Sequence, residues 1–127
     1  MPGKGKLLIT AGPTHEPIDA VRYIANRSSG RLGVALAEAA DAAGWDVTLL
    51  LGSVAAGPPA VRTLRFESTG ELATLLDQHF AACDVLIMAA AVADYRPRLP
   101  ATQKLPRRDA TLVLELEPTP DLVAACA

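Results

Sequence analysis

Cysteine is scarce in this chain: Cys83 and Cys126 are the only two, set apart in apolar, alanine-rich surroundings. Neither has a second thiol or a histidine at ligand spacing, so no metal ligands are assigned, and two isolated thiols suit a reducing compartment. An excess of one charge is missing as well. The formal net charge is -2 and no basic patch runs through the sequence, so binding along a nucleic-acid duplex, which needs a broad basic surface, is not expected. Long hydrophobic runs are also absent, the longest, such as residues 85–93, being too short to cross a bilayer. The first six residues are not followed by a signal-type apolar region. The expectations are a cytoplasmic location, no nucleic-acid partner, no membrane partner, and an anion site only where donors cluster locally.

What is present is enough for one core. Half of the 127 residues are apolar, so residues 1–127 are expected to form a single α/β domain. The runs KLLITA (6–11) and VTLLL (47–51) each close in glycine and read as buried strands. Between them Leu32, Ala35, Leu36, Ala39 and Ala43 recur at helical spacing as the apolar face of a helix that Gly44 stops. A second unit follows: a strand over 61–66, then Ser68 and Glu71 as a capping box for a helix carrying Leu72, Leu75, Leu76 and Phe80, then a buried strand over 84–90. Residues 94–109 are polar, proline-bearing and irregular, residues 112–116 alternate as a strand exposed on one face, and Thr119 caps a last helix with Pro120 at its first position. Alternating strands and helices give a three-layer, Rossmann-like α/β sandwich with a mostly parallel sheet, incomplete at its C-terminal end because the sequence stops as that helix begins. Ligands of such sheets bind beyond the carboxyl ends of the strands, which gathers the loops 12–27, 52–59, 91–108 and 117–121.

The densest cluster of donors is RYIANRSSGRLG (22–33), where Arg22, Asn26, Arg27 and Arg31 surround Ser28, Ser29 and Gly30 just before the first helix. A helix N-terminus with hydroxyl donors and a glycine that admits close backbone approach is a seat for phosphate, while Gly33 permits tight packing of helix on sheet. A merely well-capped core helix is the plainer reading, with Ser28 or Ser29 as cap. The turn is not an ordinary dinucleotide fingerprint. Residues 12–27 intervene after the strand, and Leu51-Gly52-Ser53 offers no acid for a ribose. Thr14, His15, Glu16 and Asp19 stand at the ligand edge or form a long turn with solvated charges. Arg22 either forks onto an anion or pairs with Asp19. Asn26 both donates and accepts, or is a turn residue. Asp94, after the small residues 89–91, accepts from a ligand or caps a turn, and Lys104 and Arg108 form a lid or a solvated basic run. His79 lies on a helix away from this edge.

Taken in order and spacing, ITAGPTHEPID, VRYIANRSSGRLG, AAAVADYRP and PTPDL resemble the phosphopantothenate-cysteine ligase (phosphopantothenoylcysteine synthetase) family, the ligase half of the bifunctional coenzyme A biosynthesis protein. The resemblance covers residues 7–124 and matches the N-terminal portion of that ligase domain. It implies joining of 4′-phosphopantothenate and L-cysteine through an acyl-cytidylate formed from CTP with Mg2+, in a homodimer, with no FMN in this chain. It carries Asn26 and Lys104 as catalytic residues, Gly12, Ser28, Ser29, Gly30, Ala90, Ala91, Asp94 and Lys104 as nucleotide-binding, and Arg22 with Asn26 as substrate-binding. The sequence departs from the family at Lys104-Leu105-Pro106-Arg107, where Lys-Ile-Lys-Lys is usual, at His15 and Arg27, where arginine and histidine are common, and at Thr119, where asparagine is usual. Two other classes compete: a noncatalytic nucleotide-binding or assembly module, and a nicotinamide-dependent oxidoreductase, which the missing ribose acid disfavours.

Overall fold

The computed structural model describes residues 3–54 and 60–126; residues 55–59 of the expected 52–59 ligand-edge loop lie outside the described residues. In chain order the elements are β1 (Lys6–Ala11), β2 (Glu16–Pro17), β3 (Tyr23–Ile24), α1 (Arg31–Ala42), β4 (Asp46–Leu51), β5 (Arg62–Arg65), α2 (Thr69–His79), β6 (Val85–Met88), β7 (Tyr95–Pro97), β8 (Leu116–Pro118) and α3 (Leu122–Cys126). A single turn of 3-10 helix, Phe80–Ala82, separates α2 from β6. Strands β5, β4, β1 and β6 form one parallel sheet in that spatial order. β1 and β4 are continuous apolar runs because both faces of the sheet are covered. Leu7, Ile9, Ala11, Val47, Leu49 and Leu51 pack under Val34 and Ala37 of α1. Leu8 and Leu50 face the other way, onto Phe66, Leu72 and Leu76 with Leu122 of α3. The expected α/β class with a mostly parallel sheet is what the chain forms.

Helix α1 sits one position round from its expected face. Gly33, Val34 and Ala37 are its buried residues, and Leu32, expected in the core, is 68% exposed. Gly33 sets this rotation. A Cβ built on it would stand 2.2 Å from the Ala11 Cβ and 3.0 Å from the Ala11 Cα, so only a residue without a side chain can lie on β1. At the other end, Gly44 N donates to Asp41 O and Trp45 N to Ala40 O, with Gly44 at φ 98°, a Schellman stop at the glycine the sequence placed there.

Four other expectations change. β6 is half-exposed, with Val85 at 41%, because it pairs only with β1 among the described residues and stands at the sheet edge. The segment read as irregular contains β7, which pairs antiparallel with β8 as Tyr95 opposite Pro118 and Pro97 opposite Leu116. Residues 112–115 are not a strand: among the described residues only the Glu115 carbonyl takes a backbone bond, from Arg98 N, and the pairing begins at Leu116. Asp121, not Thr119, starts α3, its Oδ1 accepting from Ala124 N at 3.1 Å. Thr119 instead donates its hydroxyl to Ala93 O at 2.5 Å and its N–H to Asp94 O at 2.9 Å, tying the chain before α3 to the loop after β6.

Candidate functional site

At the carboxyl ends of β1 and β4 lies a cleft of about 720 Å3. It is walled by Pro13 and His15 after β1, by Tyr23 and the turn 25–29, by Arg31 of α1, and by Ser53 and Val54 after β4. Local chemistry explains the turn. Gly30 has φ 73° and is the residue before α1, a conformation that side-chain-bearing residues avoid. Its backbone lies in the angle between Gly12 and Val54, where an added Cβ would be 3.4 Å from the Gly12 Cα and 3.3 Å from Val54 Cγ2.

Neither serine stands at the N-cap position, which Gly30 holds with no side-chain cap bond, and α1 has no acid in its first turn. Ser28 Oγ accepts from Gly30 N and Ser29 Oγ from Arg31 N, both at a long 3.4 Å, so each hydroxyl hydrogen stays free for another oxygen. Arg27 and Arg31 line the cleft, take no part in the ion pairs found among the described residues, and face no aspartate or glutamate there. The cleft is therefore cationic although the chain is not.

The second wall is a short hairpin. β2 and β3 pair antiparallel, Glu16 opposite Ile24 and Pro17 opposite Tyr23. This brings the ring of His15 flat against that of Tyr23, 3.8 Å between centroids and 8° apart, with Tyr23 54% exposed. Thr14, Glu16 and Asp19, expected at the ligand edge or in a long turn with solvated charges, are instead buried structural groups. Glu16 Oε2 accepts from Thr69 N at 3.0 Å and from Thr69 Oγ1 at 2.9 Å, and Thr14 Oγ1 accepts from Ala93 N at 2.9 Å. Asp19 accepts from the N–H groups of Val21, Arg22 and Leu105 and from the Arg22 guanidinium. Burial alone would raise its pKa; the N–H bonds from Leu105, Val21 and Arg22 and the Arg22 charge outweigh it and hold the carboxyl at about 2.

The residues expected at the site therefore separate. Asn26, Ser28 and Ser29 line the cleft, with Gly30 packed so close to Gly12 that a Cβ added to it would stand 3.4 Å from the Gly12 Cα. Asn26 Nδ2 also reaches Val92 O at 3.3 Å, linking the turn to the loop after β6. Ala90 and Ala91 are tied into the sheet, Ala90 N to Thr10 Oγ1 at 3.2 Å and Ala91 N to Gly12 O at 2.9 Å. Arg22 is paired with Asp19, the second of its two sequence readings, and lines a separate groove with Leu105, Pro106, Arg107 and Arg108. Asp94 and Lys104 are exposed and line neither cavity. His79 lies at the opposite end of the sheet, beside Lys6 and Asp46. The sequence placed His15 at the ligand edge and Arg27 and Arg31 in the donor cluster without giving them a binding role, and it did not bring Tyr23 to the site. The arginines were visible in the quoted cluster, four residues apart around the turn, whereas the ring pair depends on hairpin register.

An open parallel sheet with a cationic cleft beyond its strand ends defines an α/β small-molecule-binding domain of the Rossmann-like kind. Residues 3–127 match the family described as DNA/pantothenate metabolism flavoprotein C-terminal domain, and the chain belongs to that family. It is 44% identical over 121 residues to a cysteine/cysteine sulfinic acid decarboxylase of an unknown prokaryotic organism, covering 94% of this chain and 34% of that protein. It is 50% identical over 102 residues to the coenzyme A biosynthesis bifunctional protein CoaBC of Mycobacterium tuberculosis, covering 79% of this chain and 24% of the relative. Among solved structures, the C-terminal domain of a CoaBC protein superposes with TM-score 0.84 at 41% identity, over 97% of this chain and 58% of that one. A DNA/pantothenate metabolism flavoprotein from Streptococcus pneumoniae also gives 0.84, at 28% identity over 96% and 63%. The chain thus spans a quarter to a third of the curated relatives named.

These findings correct the functional expectation. The family is described as a flavoprotein domain and a relative at 44% identity is named a decarboxylase; neither description carries ligation, CTP or magnesium. The CTP-dependent ligase, its synthetase name and its CTP and Mg2+ are withdrawn, and so is the setting aside of flavin. Neither alternative, the noncatalytic nucleotide-binding module or the nicotinamide-dependent oxidoreductase, is supported by these relatives. The setting in coenzyme A biosynthesis and pantothenate metabolism does agree with them. Among the described residues no group of three His, Cys, Asp or Glu side chains could hold a metal ion, and no helix is long and apolar enough to cross a membrane.

Proposed function

We propose that this chain holds a phosphorylated small molecule of coenzyme A biosynthesis by its phosphate group, in the cleft over the turn 26–31. The observation that carries the reading is the unequal finish of two helix starts at the same sheet edge. α2 is closed by protein acids: Glu71 Oε2 accepts from Glu67 N and Ser68 N, and Glu16 Oε2 from Thr69 N. α1 has no acid in its first turn and no cap on Gly30, only the long Ser29 Oγ contact to Arg31 N, and among the described residues Arg27 and Arg31 form no ion pair. An anion is the partner that completes this second start, because the first-turn N–H groups and both guanidinium groups favour negative charge. Asn26, Ser28 and Ser29 supply further donors.

The flavin of the family's description, as its mononucleotide, would be held at the phosphate by the same donors. Its ring would have one flat wall, the Tyr23–His15 stack, and once bound it would supply redox chemistry. Decarboxylation is the reaction named for a relative of which this chain covers 34%; the part proposed here is ligand holding. Calorimetry with inorganic phosphate, 4′-phosphopantothenate against pantothenate, and FMN against riboflavin tests the reading. The phosphorylated member of a pair should bind, and Arg27→Ala and Arg31→Ala should each weaken it about tenfold, the size of one charged hydrogen bond. The pair that responds identifies the source of the phosphate. Equal binding of phosphorylated and dephosphorylated forms, or binding untouched by both substitutions, overturns it.

A further inference from the structure

One buried carboxyl group ties a wall of the cleft to the start of α2. The β2–β3 hairpin and the turn that leaves it carry His15, Tyr23, Asn26 and Arg27, and the hairpin itself has only two paired positions, too few to hold its own place. It is attached at several points: Ala101 N donates to Ile18 O at 2.9 Å, Leu105 N to Asp19 Oδ2 at 3.0 Å and Asn26 Nδ2 to Val92 O at 3.3 Å, while Glu16 is the hairpin side chain that reaches the start of α2. This side chain, 1% exposed, receives both polar hydrogens of Thr69 at the first position of α2, where the helix dipole also favours it. Two neighbouring bonds complete the joint: His15 N donates to Glu67 O at 2.6 Å, and Thr14 Oγ1 links Thr69 Oγ1, at 3.4 Å, to the Ala93 N–H. Three loops of the ligand edge, those after β1, β5 and β6, are therefore joined through Glu16, Thr69 and Thr14. None of the Glu16 contacts faces the cleft directly.

From this we infer that Glu16 is a positioning residue: it latches the hairpin to the start of α2 and so sets where Tyr23, Asn26 and Arg27 stand for the anion. The inference rests on the phosphate-holding reading for its ligand arm only. The test is native-state hydrogen exchange of the full chain together with titration by inorganic phosphate, in Glu16→Ala, Glu16→Gln and Thr69→Val. With the acid removed, the His15 and Ile18 amides should exchange about tenfold faster or more relative to those of Ile9 and Leu49, since buried donors lose their acceptor. Phosphate affinity should fall about tenfold alongside. Glu16→Gln, which keeps an acceptor oxygen, should stay within about threefold of the parent in both readouts, and Thr69→Val should fall between. Uniform acceleration of hairpin and core amides alike would overturn the latch and leave Glu16 an ordinary stability residue. If Glu16→Ala does not fold, a hairpin unmoved in Thr69→Val overturns it equally. Selective loosening of the hairpin with no phosphate bound by any variant supports the latch and sinks the phosphate reading instead.

Discussion

Replacing Gly33 by alanine should destabilise the protein although alanine is the better helix former. The added Cβ would stand 2.2 Å from the Ala11 Cβ, against an ordinary carbon contact of about 3.5 Å, so about 1.3 Å must be found. Ala11 lies on the central strand β1 and is fully buried, with its Cα 3.0 Å from the new atom, so the helix must move rather than the strand. Overpacking of this kind costs about 1–3 kcal/mol, and a backbone collision belongs at the upper end. The helix propensity of alanine returns about 1 kcal/mol. A net loss of about 2 kcal/mol should lower the urea midpoint by about 1 M for a typical m-value. Two companions sharpen the test. Ala11→Gly in the same chain removes the atom at 2.2 Å and should recover part of the loss. Leu32→Ala, at a position 68% exposed, should stay within about 0.5 kcal/mol, whereas a core leucine would cost about 2–5. A Gly33→Ala chain as stable as the parent, or a costly Leu32→Ala, would refute the helix placement.

Acid stability should carry the mark of Asp19. Its folded pKa of about 2 lies below the unfolded value of about 3.9, so between them the unfolded chain binds the proton and stability falls as pH drops from about 4 toward 2. Asp19→Asn should flatten that part of a pH-denaturation curve, and an unchanged slope would count against the buried pair. Ser68→Ala removes the acceptor of the Glu71 N–H in a complete capping box and should cost about 1 kcal/mol by urea unfolding, with no change if α2 begins elsewhere. Burial raises the Cys83 thiol pKa, so in the native chain its alkylation at mildly alkaline pH should be slower than that of a small free thiol; equal rates would contradict the placement.

Local chemistry was readable without coordinates. The capping box at Ser68 and Glu71, the stop at Gly44 and the buried runs of β1 and β4 each depend on neighbouring residues or on a continuous apolar stretch. The donor-rich turn at 26–30 was legible for the same reason: its serines, glycine and flanking arginines are contiguous. The face of α1 was not, because the leucine and alanine periodicity is outweighed by the contact of Gly33 with Ala11. The alternation at 112–116 suggested a strand, yet a strand needs a partner, and β7 reaches only as far as Leu116 and the Glu115 carbonyl.

The sequence by itself determined the class of fold, the order of the four main-sheet strands and the two long helices, and the donor-rich turn before α1, since these follow from hydrophobic period and short-range hydrogen-bonding chemistry. Tertiary structure alone decided which charges are free. Asp19 captures Arg22, Glu16 is spent on the start of α2, and Arg27 and Arg31 face a cleft that no acid lines. Those outcomes join residues such as Glu16 and Thr69 that are remote in sequence, and a buried acid takes whichever donors the folded chain brings within reach.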